Sequence, residues 1–72
     1  MYKKIGKNIK NLRESLGETR QEFAESLGYV KVYIGQLERG ERRPSYNFMK
    51  VFNERFPEIS MNDFFFGGAE DA

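Results

Sequence analysis

The sequence predicts an all-α domain built from five short helices. Apolar residues recur three and four positions apart along most of the chain, which is the period of a helix with one buried face. Thr, Ser and Gly stand between these stretches, where helices typically start and stop. No stretch of any length shows the alternation that indicates a β-strand. A chain of 72 residues has room for one core, so we expect one compact domain over residues 1–66 and a flexible tail over 67–72.

The first helix is predicted over residues 2–16. Its apolar residues lie four, three and four positions apart: Ile5, Ile9, Leu12 and Leu16. This spacing places them on a single face. Gly17 follows the last of them and is expected to end the helix, because glycine readily adopts the conformation of a helix C-terminus.

A capping box opens the second helix. The Thr19 hydroxyl can accept a hydrogen bond from the third helical N–H, and the Glu22 carboxylate can reach back to the N-cap. Three apolar residues then share one side of a helix of about eight residues: Phe23, Ala24 and Leu27. Gly28 is expected to end it.

The third helix follows almost at once. Ile34 and Leu37 lie at helical spacing within the segment Tyr29–Arg39, and Gly40 is expected to stop the helix. Only two or three residues separate it from the second helix. A turn that short makes the two helices cross at a large angle.

Two more helices are predicted after a charged loop. Ser45 is expected to cap a helix over residues 46–55, and Pro57 closes that segment. A second capping box, Ser60–Asp63, opens a short final helix. Four phenylalanines from these segments fit one small core: Phe48, Phe52, Phe56 and Phe64.

The composition excludes several classes of protein. The chain contains no cysteine and no histidine, so it lacks disulfides, a thiolate nucleophile and the commonest catalytic base. The acidic residues show no metal-ligand spacing. We therefore expect no enzyme, metal site or cofactor, and no small-molecule substrate is evident. No apolar run approaches the ~20 residues of a membrane span, and the N-terminus lacks a secretory signal. These features predict a cytoplasmic binding protein.

The charge is distributed unevenly. Residues 1–44 carry ten Lys and Arg against six Glu, whereas residues 45–72 carry two basic against five acidic side chains. The net charge of +1 thus combines +4 in the first segment with −3 in the second. A basic first segment favours a polyanionic partner.

The segment between the second and third helices resembles a known motif. Ala24, Gly28, Ile34 and Leu37 are spaced four, six and three, and the two flanking segments Leu37–Ser45 and Ile59–Phe65 match as well. Together they resemble the Cro/CI-type repressor family, also called XRE-like, over about residues 5–66. The resemblance implies a lambda-repressor-like fold with a helix-turn-helix at about residues 20–39.

The resemblance also implies double-stranded DNA as the partner, with the third helix in the major groove. By position, four residues would contact bases: Val30, Lys31, Val32 and Gln36. Gln36 can bond adenine bidentately and Lys31 can donate to guanine O6 and N7, whereas the valines can only pack on thymine methyl groups.

Other residues are expected to contact phosphates, which sets affinity and its salt dependence rather than sequence preference. Arg20 opens the second helix, where the family usually has Gln, and Tyr33 is expected at the groove edge. Three arginines follow the third helix: Arg39, Arg42 and Arg43.

The third helix departs from the family pattern at two positions. Val30 stands where a capping Ser or Thr is usual, and Gly35 lies inside the helix. We expect the first to lose a cap worth ~1 kcal/mol. Gly35 either permits close approach of the backbone to DNA or is a tolerated weak position. The apolar start of this helix leaves open an alternative function, a protein-interaction module on the same fold.

An ion pair is expected between Arg13 and Glu38. Arg13 lies at the edge of the first helix's apolar stripe, and Glu38 borders the inner face of the third helix beside Leu37. The family resemblance implies the same pair, which would hold the two helices together. The alternative is an ordinary surface pair worth less than ~1 kcal/mol.

Three consecutive phenylalanines end the final helix: Phe64, Phe65 and Phe66. A helix cannot point all three inward, so at least one should be exposed in a monomer. An exposed aromatic side chain there suggests a dimer interface, unless it folds back over the first helix. The resemblance implies a repressor that binds a palindromic operator as a homodimer. Whether it is a phage repressor, a restriction–modification controller or an antitoxin stays open.

Overall fold

Five α-helices follow one another in the computed structural model, which describes residues 2–66. They are α1 (Lys3–Ser15), α2 (Arg20–Leu27), α3 (Lys31–Glu38), α4 (Tyr46–Arg55) and α5 (Met61–Phe66). No strand occurs among these residues. The predicted all-α class is therefore confirmed, and the ends of α1 lie within one residue of the predicted ends. The predicted tail over 67–72 lies outside the described residues.

Side-chain caps begin three of the helices where the sequence predicts them, and at α5 the Ser60 hydroxyl accepts from the Asp63 N–H at 3.3 Å. The Thr19 hydroxyl accepts from the Glu22 N–H at 3.1 Å, and Glu22 Oε1 accepts from the Thr19 N–H at 2.8 Å. At α4, the Ser45 hydroxyl accepts from the Phe48 N–H at 3.1 Å. By contrast, α3 begins after Val30 with no side-chain cap, as expected.

The α2–α3 turn depends on one glycine. Gly28 has φ of 79°, a left-handed conformation that side chains with a Cβ atom adopt only with strain. Its N–H bonds the Glu25 carbonyl at 3.2 Å, and the next N–H, of Tyr29, bonds the Ala24 carbonyl at 2.9 Å. These bonds close α2 and redirect the chain into α3.

The core lies where the five helices meet and consists of ten buried apolar residues. They are Ile9, Phe23, Ala24, Leu27, Ile34, Leu37, Phe48, Phe52, Phe56 and Phe65. Ala24 of α2 is fully buried, in keeping with its small size. The residues predicted at the turn and in α4 therefore form the interior as expected.

Two residues of the predicted apolar faces are less buried than expected, although Phe64 still packs against the core. Leu16 is 42% exposed, because α1 ends at Ser15 and the chain turns away at Gly17 instead of extending the apolar stripe. In α5, Phe65 is buried and Phe64 only half-buried. The Phe65 ring packs edge-on against Phe52 with centroids 5.0 Å apart, while Phe64 meets the same ring at 4.7 Å.

Helix α3 is held from two sides, by α1 and by α2. At Gly6 in α1, a Cβ atom would lie 2.6 Å from the carbonyl oxygen of Glu38 and closer still to that of Leu37. The α1 backbone thus touches the α3 backbone directly, which only glycine permits. The sequence analysis missed this role. A glycine inside an otherwise regular helix was the available signal.

Candidate nucleic-acid interface

The first turn of α3 lies on the surface. Val30 and Val32 are each 66% exposed, and Lys31 between them is exposed as well. Later in the same helix, Ile34 and Leu37 are buried. The N-terminal end of the helix therefore faces solvent, and the residues farther along the helix anchor it in the core.

Gln36 lies one helical turn beyond Val32 and is half-buried. Its Oε1 atom accepts a hydrogen bond from Nη1 of Arg42 at 3.3 Å. The Arg42 guanidinium also lies over the ring of Tyr33, 5.3 Å from its centroid. Arg42, expected to contact phosphate, thus lies against two other predicted DNA-contacting residues.

Tyr33 is fixed in place by the residues around it. Its ring stacks on Tyr29 with centroids 4.7 Å apart and meets Phe48 edge-on. Its hydroxyl oxygen accepts from the backbone N–H of Ser45 at 3.1 Å. Tyr33 therefore links α3 to the start of α4, a structural role that the sequence analysis did not foresee.

The segment after α3 is basic, but one of its arginines is paired with a carboxylate. Nε of Arg39 donates to Oε2 of Glu41 at 2.8 Å, and both side chains are about half exposed, at 52% and 53%. The hydrogen bond with Glu41 raises the pKa of Arg39, and the hydrogen bond with Arg39 lowers the pKa of the Glu41 carboxyl. Arg43 is exposed on the same loop.

Gly35 is covered by the side chain of Arg39. A Cβ atom at this position would lie 3.0 Å from Nη1 of Arg39 and nothing else comes nearer. Gly35 is buried beneath a flexible side chain, so the position is not an open path for close backbone approach to DNA in this conformation.

The predicted partners Arg13 and Glu38 lie together. Nε of Arg13 donates to Oε2 of Glu38 at 2.6 Å and Nη2 donates to Oε1 at 3.2 Å, a bidentate arrangement. The third nitrogen, Nη1, bonds the Glu18 carbonyl oxygen at 2.9 Å. The Glu38 side chain is only 1% exposed, so its charge depends on these partners.

Arg20 joins the same carboxylate. Its Nε atom donates to Oε1 of Glu38 at 3.0 Å. Burial raises the pKa of Glu38, but the hydrogen bonds from Arg13 and Arg20 outweigh it, so the pKa is lower than usual. The residue expected to meet a phosphate therefore also connects the start of α2 to the end of α3.

The end of α5 carries an exposed aromatic side chain. Phe66 is 62% exposed, and Tyr46 at the start of α4 is 80% exposed. Both line one shallow groove together with Met49 and Met61. One of the three consecutive phenylalanines thus faces solvent, while Phe65 is buried.

Within residues 2–66, no cluster of acidic side chains has an arrangement suited to a metal ion. None of the helices in that range is both long enough and apolar enough to span a membrane.

Comparison with known proteins agrees with this architecture. A family model described as Helix-turn-helix matches residues 9–64. A Sinorhizobium fredii protein named "Uncharacterized HTH-type transcriptional regulator y4dJ" is 38% identical over 45 residues, which are 62% of this chain and 58% of the relative. The chain thus spans less than two thirds of that relative's length. No solved structure matches significantly. Because the family match covers most of the five-helix unit, the chain belongs to the helix-turn-helix family.

Proposed function

We propose that this protein is a transcriptional regulator of the repressor type that binds double-stranded DNA in a sequence-specific manner. It binds a palindromic operator as a homodimer, with α3 of each copy in the major groove. Repression follows because the bound dimer occludes a promoter. The family membership supports the DNA-binding class, and the surface of α3 supports the mode of binding.

The observation that carries this proposal is the orientation of α3. Its first turn is exposed at Val30, Lys31 and Val32, while Glu38 at its other end is held by arginines from α1 and α2. A helix fixed at one end and exposed at the other fits a major groove about 12 Å wide. Fixed geometry matters because base edges are read at hydrogen-bond distances.

Each exposed residue has a chemical task in this arrangement. Lys31 donates to guanine O6 and N7, Gln36 bonds adenine, and the two valines pack on thymine methyl groups. The phosphate contacts come from residues that flank α3: Arg20, Tyr33, Arg39, Arg42 and Arg43. Of these, Arg39 exchanges Glu41 for a phosphate oxygen on binding, and Arg20 uses its outer nitrogens while Nε stays on Glu38.

The homodimer is proposed to form through α4 and α5. Phe66 and Tyr46 are both largely exposed and line the same groove, and an exposed apolar patch of this kind can mark a protein–protein interface. A second copy on this face would cover both side chains, and the half-buried Phe64 lies on the same helix as Phe66. Two copies would then place their α3 helices on half-sites about 34 Å apart.

The experiment that tests the function is selection of a random duplex library on the purified protein at two salt concentrations. We expect enrichment of an inverted repeat with half-sites about one helical turn apart. Gln36→Ala should change the preferred base at one position of each half-site. Arg43→Ala should weaken binding to all sequences and reduce the salt dependence by about one phosphate contact. Weak salt-sensitive binding without enrichment would contradict the proposal.

A second candidate function is favoured by the exposed valines of α3. Two aliphatic side chains, each 66% exposed on one helix, also suit a protein partner. In that case Gln36→Ala and Arg43→Ala would leave partner binding intact, and Val32→Glu would abolish it. DNA selection and the Val32→Glu variant therefore separate the two functions.

A further inference from the structure

We propose that Arg42 is a specificity-determining residue that fixes the orientation of the Gln36 amide. This inference rests on the proposed function, since it concerns how Gln36 reads a base. It assigns Arg42 a task in addition to the phosphate contact proposed above. Tyr33, Gln36 and Arg42 form a cluster of three side chains in which Arg42 contacts the other two.

The chemistry of the contact determines which end of the amide faces Arg42. A guanidinium group has donors only, so the Gln36 atom that it meets must be the carbonyl oxygen. Nη1 of Arg42 and Oε1 of Gln36 are 3.3 Å apart. With Oε1 held there, Nε2 takes the other position, and a rotation that exchanges the two atoms would place donors against donors.

Arg42 is itself held by an aromatic surface. Its guanidinium lies over the Tyr33 ring at 5.3 Å, within the range of a cation–π interaction. That ring is immobilised by the stack on Tyr29 and by the bond from the Ser45 N–H. Arg42 is thus supported by a part of the fold that belongs to α3 and α4, although it lies on a loop.

A fixed amide matters because adenine and guanine present different edges to glutamine. Adenine needs an acceptor opposite its N6 amino group and a donor opposite N7. Guanine instead offers two acceptors, O6 and N7. The carbonyl oxygen has a second lone pair, so Oε1 can accept from Arg42 and from adenine N6 together. An amide that is free to rotate can hydrogen-bond to either purine. An amide fixed by Arg42 keeps its acceptor and its donor in one order, and it therefore favours the base that matches that order, adenine.

Library selection with variants of Arg42 tests the proposal. Arg42→Ala should flatten the base preference at the position that Gln36→Ala also alters, from the ~10-fold discrimination typical of a bidentate pair to less than about threefold. The double variant should discriminate no worse than Gln36→Ala alone, because the two changes remove one shared interaction.

Arg42→Lys separates positioning from charge. Lysine keeps the positive charge but lacks the planar group that lies on Tyr33 while donating to Gln36. We expect the salt dependence of binding to be retained and the base preference to relax. Arg43→Ala is the matched control from the same loop, with uniformly weaker binding and an unchanged preference.

The outcomes distinguish this inference from the function beneath it. If the unsubstituted protein enriches no sequence, the proposed function fails. If it enriches an operator but Arg42→Ala weakens all sequences evenly, as Arg43→Ala does, then Arg42 is a phosphate contact only and the inference is overturned. Arg42 is exposed, and a circular dichroism melt of each variant checks that the fold is retained.

Discussion

At the scale of single residues, the carboxylate of Glu38 is the most consequential group in this protein. It is buried, and it accepts hydrogen bonds from Arg13 of α1 and Arg20 of α2. Each arginine comes from a different helix, so one carboxylate joins three helices. A buried charge of this kind is retained only with its partners, because solvent cannot replace them.

We predict that Glu38→Gln destabilises the fold by about 3 kcal/mol, because Arg13 is left largely buried without a counter-charge. Urea denaturation at neutral pH measures this loss. The control is Glu41→Gln, which removes an exposed ion pair with Arg39 and should leave the urea midpoint close to that of the unsubstituted protein. Equal midpoints for both variants would contradict the role given to Glu38.

The same carboxylate makes stability depend on pH. Its pKa is lower in the folded protein, so the unfolded chain takes up a proton first as the pH falls. The stabilisation from Glu38 is therefore complete above an unfolded pKa of about 4.3 and is lost as the pH falls through the folded pKa. Thermal melts between pH 7 and pH 2 should show this loss in the unsubstituted protein. In Glu38→Gln that component of the pH dependence should be absent.

At the scale of helices, the start of α3 lacks a side-chain cap. Val30 has the extended backbone of an N-cap, with φ −104° and ψ 156°, but no side-chain oxygen to accept from the first-turn N–H groups. The helix is stable because its second half is packed, not because its start is capped. The exposed N-terminal end of α3 is therefore stabilised less than its packed C-terminal half.

Val30→Ser should supply the missing cap and stabilise the protein by about 1 kcal/mol. Thermal and urea denaturation measure the gain. Val32→Ser is the matched control, since it changes an equally exposed valine two residues after the N-cap and should alter stability by less than ~0.5 kcal/mol. A gain from Val32→Ser equal to that from Val30→Ser would show that capping is not the cause.

The contact between α1 and α3 is set by backbone rather than by side chains. Gly6→Ala introduces a methyl group where the Leu37 and Glu38 carbonyls already lie. Because both neighbours are backbone atoms, the helices must separate, and we expect a loss of stability of more than ~2 kcal/mol. Lys7→Ala, at the next and exposed position, should leave stability nearly unchanged. Equal melting temperatures for the two variants would contradict the close contact.

At the scale of the whole molecule, the proposed DNA-contacting and dimer-forming residues lie on different helices. The residues proposed to read DNA lie on α3 and the loop after it, whereas the exposed aromatic side chains lie on α4 and α5. Under the proposed function, α4 and α5 would bind a second copy while α3 binds DNA. The proposed DNA-contacting residues belong to the basic segment 1–44, and the exposed aromatic side chains belong to the acidic segment 45–72.

We predict that Phe66→Glu converts the proposed dimer to a monomer without unfolding it, because Phe66 is 62% exposed in the isolated chain. Sedimentation equilibrium measures the molecular mass, and circular dichroism checks the helix content. Val32→Glu, on the α3 surface, is the control and should remain a dimer. If the unsubstituted protein sediments as a monomer at every concentration and on DNA, the dimer proposal is wrong.

The sequence by itself determined the elements and the family. Caps at Thr19 and Ser45 and the stop at Gly28 act within four residues of their own position, so their effects can be predicted locally. The Ala24 to Leu37 spacing likewise identified the turn and the exposed first turn of α3. Local chemistry sufficed because a helix is built from contacts three and four residues apart.

Only the tertiary structure decided how the helices meet. The pairing of Arg13 with Glu38 was predicted from helix positions, but the bond from Arg20 to the same carboxylate, 18 positions away, was not, because sequence spacing does not specify which atoms face each other. Three other features have the same origin. They are the backbone contact at Gly6, the deeper burial of Phe65 than of Phe64, and the support of Arg42 by Tyr33. Each depends on packing between distant segments, which is settled only when all five helices share one core.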